Sequence, residues 1–289
     1  MTDAPTRPYA EVIGDPIAHS KSPVIHRFWI QQLGLDAQYR AQHVTPDGLG
    51  NYFAARRQDK NWCGCNITMP HKQAAMALVD ELEPDAKAIG AINTAYRRDD
   101  GALVGTNTDA GGFLEPLKDV LAAQHLFRMA RIIGTGGAAR AIITALAGHG
   151  FTLVVTGRNE AKARGLLSEL APNGEHYAAP LGYFAQSTDF AFDDREGCLD
   201  LVVNASPLGM AGNPPLKFDI SHAPPGSIFY DIVTDPRETS FLRDAKSGGF
   251  ASIGGIEMLV GQAAIAFEKF FGQLPVRDGD AELLERLNG

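Results

Sequence analysis

A glycine-rich hexapeptide near the middle of the chain limits the possible folds more than any other feature. It reads Gly134-Thr135-Gly136-Gly137-Ala138-Ala139 and follows an apolar, β-prone run from Met129 to Ile133. An apolar-periodic helix is predicted directly after it, from Arg140 to Leu146. This is the G-x-G-x-x-G/A fingerprint in its required strand, turn and helix context. It predicts a Rossmann-type dinucleotide-binding domain.

Each small residue of this turn has a physical role. Gly134 permits the tight turn, Gly136 lets a pyrophosphate approach the backbone, and Ala139 allows close packing of helix on strand. The pyrophosphate would lie on the helix N-terminus, where free N–H groups and the helix dipole favour anions. The candidate cofactor-binding residues of the turn are Gly134, Gly136, Gly137 and Ala138.

The next predicted strand, Phe151 to Thr156, ends at the position where such domains distinguish the ribose of NAD from that of NADP. An acidic residue about 20 positions beyond the glycines binds the ribose diol of NAD, whereas an arginine accommodates the 2′-phosphate of NADP. Here Arg158 and Asn159 follow the strand, with Lys162 one helical turn on. We therefore predict NADP. A solvated loop charge is the alternative for Arg158, and Glu160 leaves some room for NAD.

Strands and helices alternate through the first part of the chain. The predicted strands are Tyr9 to Ile13, Tyr39 to Val44 and Cys63 to Thr68, and the predicted helices run from Ser22 to Gly34 and from Leu49 to Arg57. This alternation predicts a mostly parallel sheet with helices on its faces. Ligands bind such sheets at the carboxyl ends of the strands.

Polar residues follow two of these strands. Ser20 and Ser22 come after the first, and Asn66, Thr68 and Lys72 come at and after the end of the third. Ser22 stands before Pro23 and fits a helix N-cap, but Ser20 has no evident structural duty. We predict that both groups face a ligand at one edge of the sheet.

Two further polar residues, Asn93 and Asp109, lie in the second part of this region. We predict a helix from Gln73 to Leu82 and then a strand beginning at Ala88 to Thr94, which leaves Asn93 inside an apolar strand. A buried amide costs free energy unless it finds partners, so a ligand or a polar network is expected there. Asp109 could cap a helix from Phe113 to Leu121 or act in catalysis, and spacing does not separate the two.

The last third continues the same pattern. Before the glycine-rich turn, we also predict a hairpin turn at Asp99-Asp100-Gly101, because the Asp-Gly pair favours such turns. The remaining predicted strands are Asp200 to Asn204, Ser227 to Val233 and Phe250 to Ile253, and the remaining helices are Met258 to Phe271, which carries Gln262, and Ala281 to Leu287.

Composition excludes several classes of protein. The net charge of −8 and the pI of about 5.5 argue against binding to nucleic acid or to an acidic membrane surface, so locally placed donors must meet any anionic ligand. No apolar run approaches the roughly 20 residues of a membrane span, and no signal peptide precedes Pro8, so we expect a cytoplasmic protein. Three cysteines fit neither a disulfide framework nor a zinc site, and we predict no metal. Motifs of metalloproteases, serine hydrolases and P-loop enzymes do not occur.

Several segments closely resemble the shikimate dehydrogenase family, over Val12 to Leu274. The matching motifs are Gly14 to Pro23, Asn66 to Lys72, Gly90 to Thr94, Asn107 to Asp109, Gly134 to Arg140 and Met258 to Ala263. The resemblance implies an α/β protein with two domains: a mostly parallel substrate domain of residues 1–108 and 254–289, and a Rossmann-like NADP domain of residues 109–253. It also implies reversible reduction of 3-dehydroshikimate to shikimate with NADPH, a step of aromatic amino acid biosynthesis.

The resemblance also assigns roles by matching position. Lys72 and Asp109 would form the catalytic pair, and Ser20 and Ser22 would hold the substrate carboxylate. The substrate hydroxyls would be held by Asn66, Thr68, Asn93, Asp109 and Gln262. Besides the turn and Arg158, Asn159 and Lys162, the cofactor would contact Ser206, Ile232 and Gly255. We expect a small-molecule substrate and a monomer or homodimer.

Three positions depart from the family pattern. Thr234 stands where tyrosine is common, Glu257 where a glycine is expected, and Gly157 where asparagine often precedes the arginine. The first two leave a quinate or related cyclic hydroxy-acid dehydrogenase, using NAD or NADP, as an alternative. A methylenetetrahydrofolate dehydrogenase would not need the paired serines with the Lys72/Asp109 pair. A ligand-sensing relative without turnover would not need the Lys72/Asp109 pair, so the presence of this pair argues against it.

Overall fold

A computed structural model describes residues 7–192 and 195–287 of the chain. The fold divides into two compact units: the first runs to Asp109 and resumes at Val260, and the second is Ala110–Leu259. The second crossing thus lies within a helix, whereas the sequence predicted it at 253/254. Residues 1–6, 193–194 and 288–289 of the predicted domains lie outside the described residues. In the part of the chain that is described, no helix has the length and apolar character needed to cross a bilayer.

The first unit contains a six-stranded sheet in the order β2-β1-β3-β5-β6-β4. Its strands are β1 (Tyr9–Gly14), β2 (Gln38–His43), β3 (Trp62–Ile67), β4 (Glu81–Leu82), β5 (Thr94–Arg97) and β6 (Leu103–Thr106). Strand β1 is parallel to β2 and β3, and β4 is parallel to β6. Strand β5 is antiparallel to both neighbours: it runs opposite to β3, and the predicted hairpin turn after it reverses the chain into β6.

Helices cover this sheet and bury one large apolar cluster. They are α1 (Ser22–Gln32), α2 (Leu49–Gln58) and α3 (Pro84–Ile89). The cluster packs Tyr9, Phe53 and Trp62 together, and each is at most 1% exposed. One carboxylate, Glu11, is buried within this unit, where Arg40, Arg56 and Tyr52 donate hydrogen bonds to it. These donors replace the water that the charge loses.

The second unit contains a six-stranded sheet whose recorded pairs are all parallel, in the order β12-β11-β10-β7-β8-β9. Its strands are β7 (Phe127–Ile133), β8 (Thr152–Gly157), β9 (Tyr177–Pro180), β10 (Cys198–Asn204), β11 (Ile228–Asp231) and β12 (Ala251–Ile253). Counted from β7, this is the 3-2-1-4-5-6 order of the dinucleotide-binding fold. The predicted Rossmann-type unit is confirmed.

The helices of the second part of the chain alternate with these strands. They are α4 (Asp109–Leu114), α5 (Lys118–Ala122), α6 (Gly137–Gly148), α7 (Glu160–Leu170), α8 (Ser240–Ser247), α9 (Gly255–Phe271) and α10 (Asp280–Arg286), of which α9 continues into the first unit and α10 belongs to it. Phe113, Ile142, Phe151 and Leu201 form part of the core between helices and sheet. Strand β9 and helix α8 had no counterpart in the sequence prediction.

Local predictions fail where tertiary pairing overrides periodicity. The predicted helix from Gln73 to Leu82 is wrong: Ala74–Leu78 forms a short 3-10 helix, and Glu81–Leu82 pairs with β6. Pro84 then begins a new helix, as proline at a first turn favours. Asn93 consequently lies just before a strand, not inside one.

Two helix boundaries also differ from prediction. Ser22 is the first residue of α1 rather than its N-cap, and no side-chain cap bond forms there. The predicted helix from Phe113 to Leu121 is split into α4 and α5, with a 3-10 turn at Glu115–Leu117 between them. Pro116 explains the interruption, because it lacks the N–H that a continuous helix would use.

Strand β3 should tolerate no side chain at Gly64. A Cβ there would lie 2.5 Å from the Ala95 carbonyl oxygen and 2.6 Å from the Phe270 ring. We expect Gly64→Ala to lower the free energy of unfolding by about 2–3 kcal/mol, because backbone must move to relieve the clash. As the control, Gly165→Ala in α7 meets nothing within 4 Å and should raise it by about 0.5–1 kcal/mol. Denaturant titration followed by circular dichroism measures both, and a wild-type value for Gly64→Ala would contradict the packing described.

Candidate active site

The polar loops of the first unit meet at one edge of its sheet. Strands β1, β3 and β6 end there and β5 begins there, since Ile13 pairs with Ile67, Asn66 with Thr94, and Thr94 with Thr106. The segments that carry the predicted site residues leave or enter these strand ends. The sheet therefore brings together residues that are far apart in sequence.

Lys72 and Asp109 form an ion pair at this edge. The Lys72 Nζ contacts Asp109 Oδ2, and the two side chains are only 15% and 8% exposed. The other carboxylate oxygen accepts a hydrogen bond from Asn93 Nδ2 at 2.8 Å. The backbone N–H of Asp109 donates to Asn107 Oδ1 at 3.0 Å, and Asn107 is itself tied to the Ala91 carbonyl oxygen. The carboxylate is thus fixed from both of its oxygens and from its backbone.

Asn93 links the ion pair to the rest of the group. Its Oδ1 accepts from the Thr108 backbone N–H at 2.7 Å, which fixes the orientation of the amide. Its Nδ2 reaches Thr108 Oγ1 at 2.9 Å and Gln262 Oε1 at 3.3 Å as well as Asp109. The expectation that this amide needs partners is confirmed, and Gln262 of α9 joins the same group.

Asn66 belongs to a second group of hydrogen bonds that adjoins the first. Its Oδ1 accepts from the Tyr39 hydroxyl at 2.6 Å, and its Nδ2 donates to Thr94 Oγ1 at 3.1 Å. Thr94 in turn donates to Asn93 Oδ1 at 3.1 Å. Neither Tyr39 nor Thr94 carried a signal in the sequence, because each reads as an ordinary strand residue.

The serine loop and Thr68 are fixed by contacts of a different kind. Ser20 has a local role after all, since its Oγ accepts from the Ser22 backbone N–H at 3.4 Å. The Thr68 N–H donates to the Ile13 carbonyl oxygen at 2.9 Å. A Cβ on Gly14 would lie 2.4 Å from Thr68 Cγ2, so glycine is required for these two loops to approach each other.

A neutral histidine lies beneath this edge. His26 is fully buried, and burial lowers its pKa to about 3, an effect that the nearby Asn66 side chain opposes. Neither ring nitrogen has a partner at hydrogen-bonding distance among the described residues. The ring stacks on Tyr39, with centroids 4.0 Å apart and an interplanar angle of 5°.

The glycine-rich turn of the second unit has the geometry that the fingerprint requires. Gly134 has φ of 135°, and a Cβ there would lie 2.4 Å from the Ala205 carbonyl oxygen. Gly136 is the N-cap residue of α6, and space around it is open. Gly137 begins the helix, and Ala138 and the fully buried Ala139 follow. The free N–H groups at this terminus can receive a pyrophosphate.

The departure at Gly157 has a packing explanation. A Cβ there would lie 2.8 Å from Thr135 Cγ2 of the glycine-rich turn, so a larger residue cannot be accommodated without movement of Thr135. The residues that follow lie on the surface, just before and at the start of α7. Arg158 and Lys162 are exposed, and Asn159 caps the helix by accepting from the Lys162 N–H at 3.1 Å.

Ser206, Ile232 and Gly255 are organised by a buried network that sequence reasoning missed. Asn204 Oδ1 accepts from Ser206 Oγ at 2.7 Å, and the Asn204 carbonyl oxygen accepts from the Ile232 N–H at 3.1 Å. Asp231 accepts from Asn204 Nδ2 at 2.9 Å, and burial raises the pKa of this carboxyl. A Cβ on Gly255 would lie 2.4 Å from the Ile232 carbonyl oxygen.

These features define a class of protein. A Rossmann-type sheet with a glycine-rich turn, in a chain that also assembles a buried lysine, carboxylate and amides, is typical of nucleotide-dependent oxidoreductases.

Comparison with known proteins narrows the class. The chain matches the shikimate dehydrogenase substrate binding domain over residues 12–95 and the shikimate 5'-dehydrogenase C-terminal domain over residues 255–278. It is 46% identical over 278 residues to a shikimate dehydrogenase (NADP(+)) of Sphingopyxis alaskensis, covering 96% of this chain and 95% of the relative. The chain therefore belongs to the shikimate dehydrogenase family.

Solved structures agree with this assignment. Shikimate 5-dehydrogenase from Thermus thermophilus, in complex with NADP(H) and shikimate, is 33% identical with a TM-score of 0.77, covering 97% of this chain and 99% of that one. Quinate dehydrogenase from Corynebacterium glutamicum, in complex with NAD, is 27% identical with a TM-score of 0.82 and the same two coverages.

Acid should destabilise the protein partly through His26. The folded-state pKa is lowered to about 3 from the ordinary value of 6.5, so this stabilisation is present above pH 6.5 and is lost as pH falls toward 3. Between roughly pH 7 and pH 4.5 the residue should account for a loss of about 2–3 kcal/mol in the free energy of unfolding. Denaturant titrations across this range should show a flatter pH dependence for His26→Phe. The exposed-site control His149→Phe should follow the wild type, and equal slopes for all three proteins would contradict the assignment.

Proposed function

We propose that this protein catalyses the reversible, NADP-dependent reduction of 3-dehydroshikimate to shikimate, with Lys72 and Asp109 as the proton-transfer pair. The observation that carries the proposal is the ion pair of these two side chains, which is mostly buried and surrounded by amides. An exposed lysine and carboxylate would have little reason to be fixed in this way, with Asn93 donating to the Asp109 carboxylate and Asn107 accepting from the Asp109 backbone N–H. The wider family assignment supplies the substrate class.

The chemistry fits a ketone and its alcohol. When bound, NADPH would supply hydride to the carbonyl carbon, and negative charge would develop on the carbonyl oxygen. The Lys72 ammonium can stabilise that charge and then donate its proton to the oxygen. In the reverse direction the neutral amine accepts the alcohol proton. Asp109 holds the lysine in position through the ion pair described above.

Substrate binding is assigned to the same edge. Ser20 and Ser22 would hold the carboxylate, and Asn66, Thr68, Asn93, Asp109 and Gln262 would hold the ring hydroxyls. Amide groups suit this task because each offers both donors and acceptors to a hydroxyl. The hydrogen bonds among Asn93, Gln262 and Asp109 support the grouping of three of these residues.

The residues of the second unit fit NADP. The open space at Gly136 and the free N–H groups of α6 suit a pyrophosphate, and the exposed Arg158 suits a 2′-phosphate. Ser206, Ile232 and Gly255 would complete the site. Their positions are supported by the Asn204 hydrogen bonds and by the close approach of Gly255 to the Ile232 carbonyl oxygen.

A quinate or related cyclic hydroxy-acid dehydrogenase is the second candidate. The similarity to a quinate dehydrogenase and the departures at Thr234 and Glu257 favour keeping it. Assays of the purified protein with shikimate or quinate, and with NADP or NAD, separate the candidates by reduced-nicotinamide absorbance. Turnover with shikimate and NADP supports the proposal, faster turnover with quinate favours the second candidate, and no turnover with any combination would indicate a ligand-sensing relative. The proposal includes a cytoplasmic location, no nucleic-acid partner, and a monomer or homodimer.

Removal of the lysine amine should affect turnover more than binding. We expect Lys72→Ala to lower kcat by about 100-fold to 10,000-fold, the usual contribution of general acid–base catalysis, with little change in KM for shikimate. The control Lys87→Ala removes an exposed lysine of α3 and should leave both constants unchanged. A kcat for Lys72→Ala close to that of the wild type would remove Lys72 from the mechanism.

Selection of NADP should depend on Arg158. We expect Arg158→Gln to raise KM for NADP by about 10-fold to 100-fold, because a charge-assisted hydrogen bond to phosphate is lost, while KM for NAD changes little. The control Arg164→Gln removes an exposed arginine within α7, one that pairs with Glu160, and should leave both KM values unchanged. Equal effects on NADP and NAD would show that Arg158 does not read the 2′-phosphate.

A further inference from the structure

The hydrogen bonds at the sheet edge form one connected series from Asp109 to Tyr39. It passes through Asn93, Thr94 and Asn66, and all five residues belong to the first unit. At one end lies the proposed proton-transfer pair, and beside the other end lies Asn66, a proposed hydroxyl ligand. We name this series the Asp109–Tyr39 network.

The direction of each hydrogen bond in the network is determined from the Asp109 end. The Asp109 carboxylate can only accept, and the Thr108 backbone N–H can only donate, so the Asn93 amide has a single orientation. The oxygen of that amide therefore faces Thr94, whose hydroxyl donates to it. Because a hydroxyl has one hydrogen, Thr94 must accept from Asn66 Nδ2.

This direction continues to Tyr39. With Nδ2 of Asn66 directed at Thr94, the Asn66 oxygen faces the Tyr39 hydroxyl and accepts from it at 2.6 Å. Burial raises the pKa of Tyr39 well above its ordinary value, and the Ser22 side chain opposes that effect. The phenol therefore stays protonated and donates a hydrogen bond to Asn66.

The Tyr39 ring is held rigidly for this role. It is 1% exposed and stacks on His26 at 4.0 Å. His26 is neutral above its lowered pKa of about 3, so no charge in the stack competes for the hydroxyl. The Tyr39 backbone carbonyl oxygen also accepts from Arg27 Nε at 2.8 Å. Ring and backbone are thus both fixed.

We propose that Tyr39 is a positioning residue for the substrate: it holds the Asn66 amide in one arrangement that fits a cyclic acid carrying hydroxyls. The inference rests on the proposed function, since it takes Asn66 as a hydroxyl ligand. Tyr39 itself is not required to touch the substrate. Loss of its hydroxyl would leave the Asn66 oxygen without its donor and loosen the amide, so binding would suffer before chemistry does.

The test is Tyr39→Phe, which removes only the hydroxyl. We expect KM for shikimate to rise about 10-fold, the cost of leaving a buried acceptor without its donor, while kcat and KM for NADP stay within about twofold of the wild type. Thr94→Val, which removes the group that orients Asn66, should show the same selective rise in KM.

The matched control is Tyr52→Phe. Tyr52 is also a buried tyrosine of the first unit, and its hydroxyl donates to Glu11 at 2.8 Å, outside the network. This variant should lose stability in denaturant titrations without a change in KM for shikimate. A merely structural Tyr39 would behave in the same way, with lowered stability and wild-type kinetics, and that result would overturn the inference. Equal increases in KM for shikimate and for NADP would overturn the inference as well.

Failure of the proposed function would give results different from those that overturn the role of Tyr39. If the wild type reduces NADP with quinate and not with shikimate, the proposed substrate is wrong, and the same comparison of variants proceeds with quinate. If no substrate turns over, calorimetric titration of the full chain with shikimate gives dissociation constants for the same variants. Absence of shikimate binding to the wild type would overturn the proposed function and the inference together.

Discussion

The Asn93 amide is the group on which the arrangement of the candidate site depends. It receives the Thr108 backbone N–H on one atom and faces the Asp109 carboxylate with the other, so it cannot rotate without losing two hydrogen bonds. A carboxylate that is 8% exposed also needs donors to replace lost water. Asn93 and Lys72 supply them. The same amide that stabilises the buried charge therefore sets the direction of the hydrogen bonds that lead through Thr94 to Asn66.

The two units solve different binding problems with different means. At the edge of the first sheet, polar side chains form the candidate substrate site, and strand order brings them together. In the second unit, the proposed cofactor site consists of backbone N–H groups and positions without side chains, as at Gly134, where a Cβ would collide with the Ala205 carbonyl oxygen. An acidic chain with a net charge of −8 can thereby bind anionic groups without a large basic surface.

Much of the fold could be predicted from the sequence because its signals are local. The glycine-rich turn, the apolar strands β7 and β8, and the Asp-Gly hairpin each leave a pattern within a short window. The predicted helix from Gln73 to Leu82 failed because strand pairing of Glu81–Leu82 with β6 is not encoded locally. Strand β9 was not predicted because its sequence at Tyr177–Pro180 lacks a clear alternation of apolar and polar residues.

The residues of the candidate site were likewise only partly predictable from the sequence. Lys72, Asp109 and Asn93 stood out because charged or amide groups in apolar or turn contexts require explanation. Tyr39 and Thr94 did not, because a tyrosine or threonine in a strand is ordinary and only the cross-strand register shows what each one contacts. The direction of the Asp109–Tyr39 network can be known only from the three-dimensional structure, since it is fixed by hydrogen bonds between residues of different strands and loops.

The close contact of Gly157 with Thr135 has a consequence for how this chain can change. One position lies at the end of β8, beside the arginine proposed to read the cofactor phosphate, and the other lies in the turn proposed to hold the pyrophosphate. Gly157 leaves the space that the Thr135 side chain occupies, so a side chain at 157 requires Thr135 to move or to be replaced by a smaller residue. Substitutions at the two ends of the proposed nucleotide site therefore depend on each other.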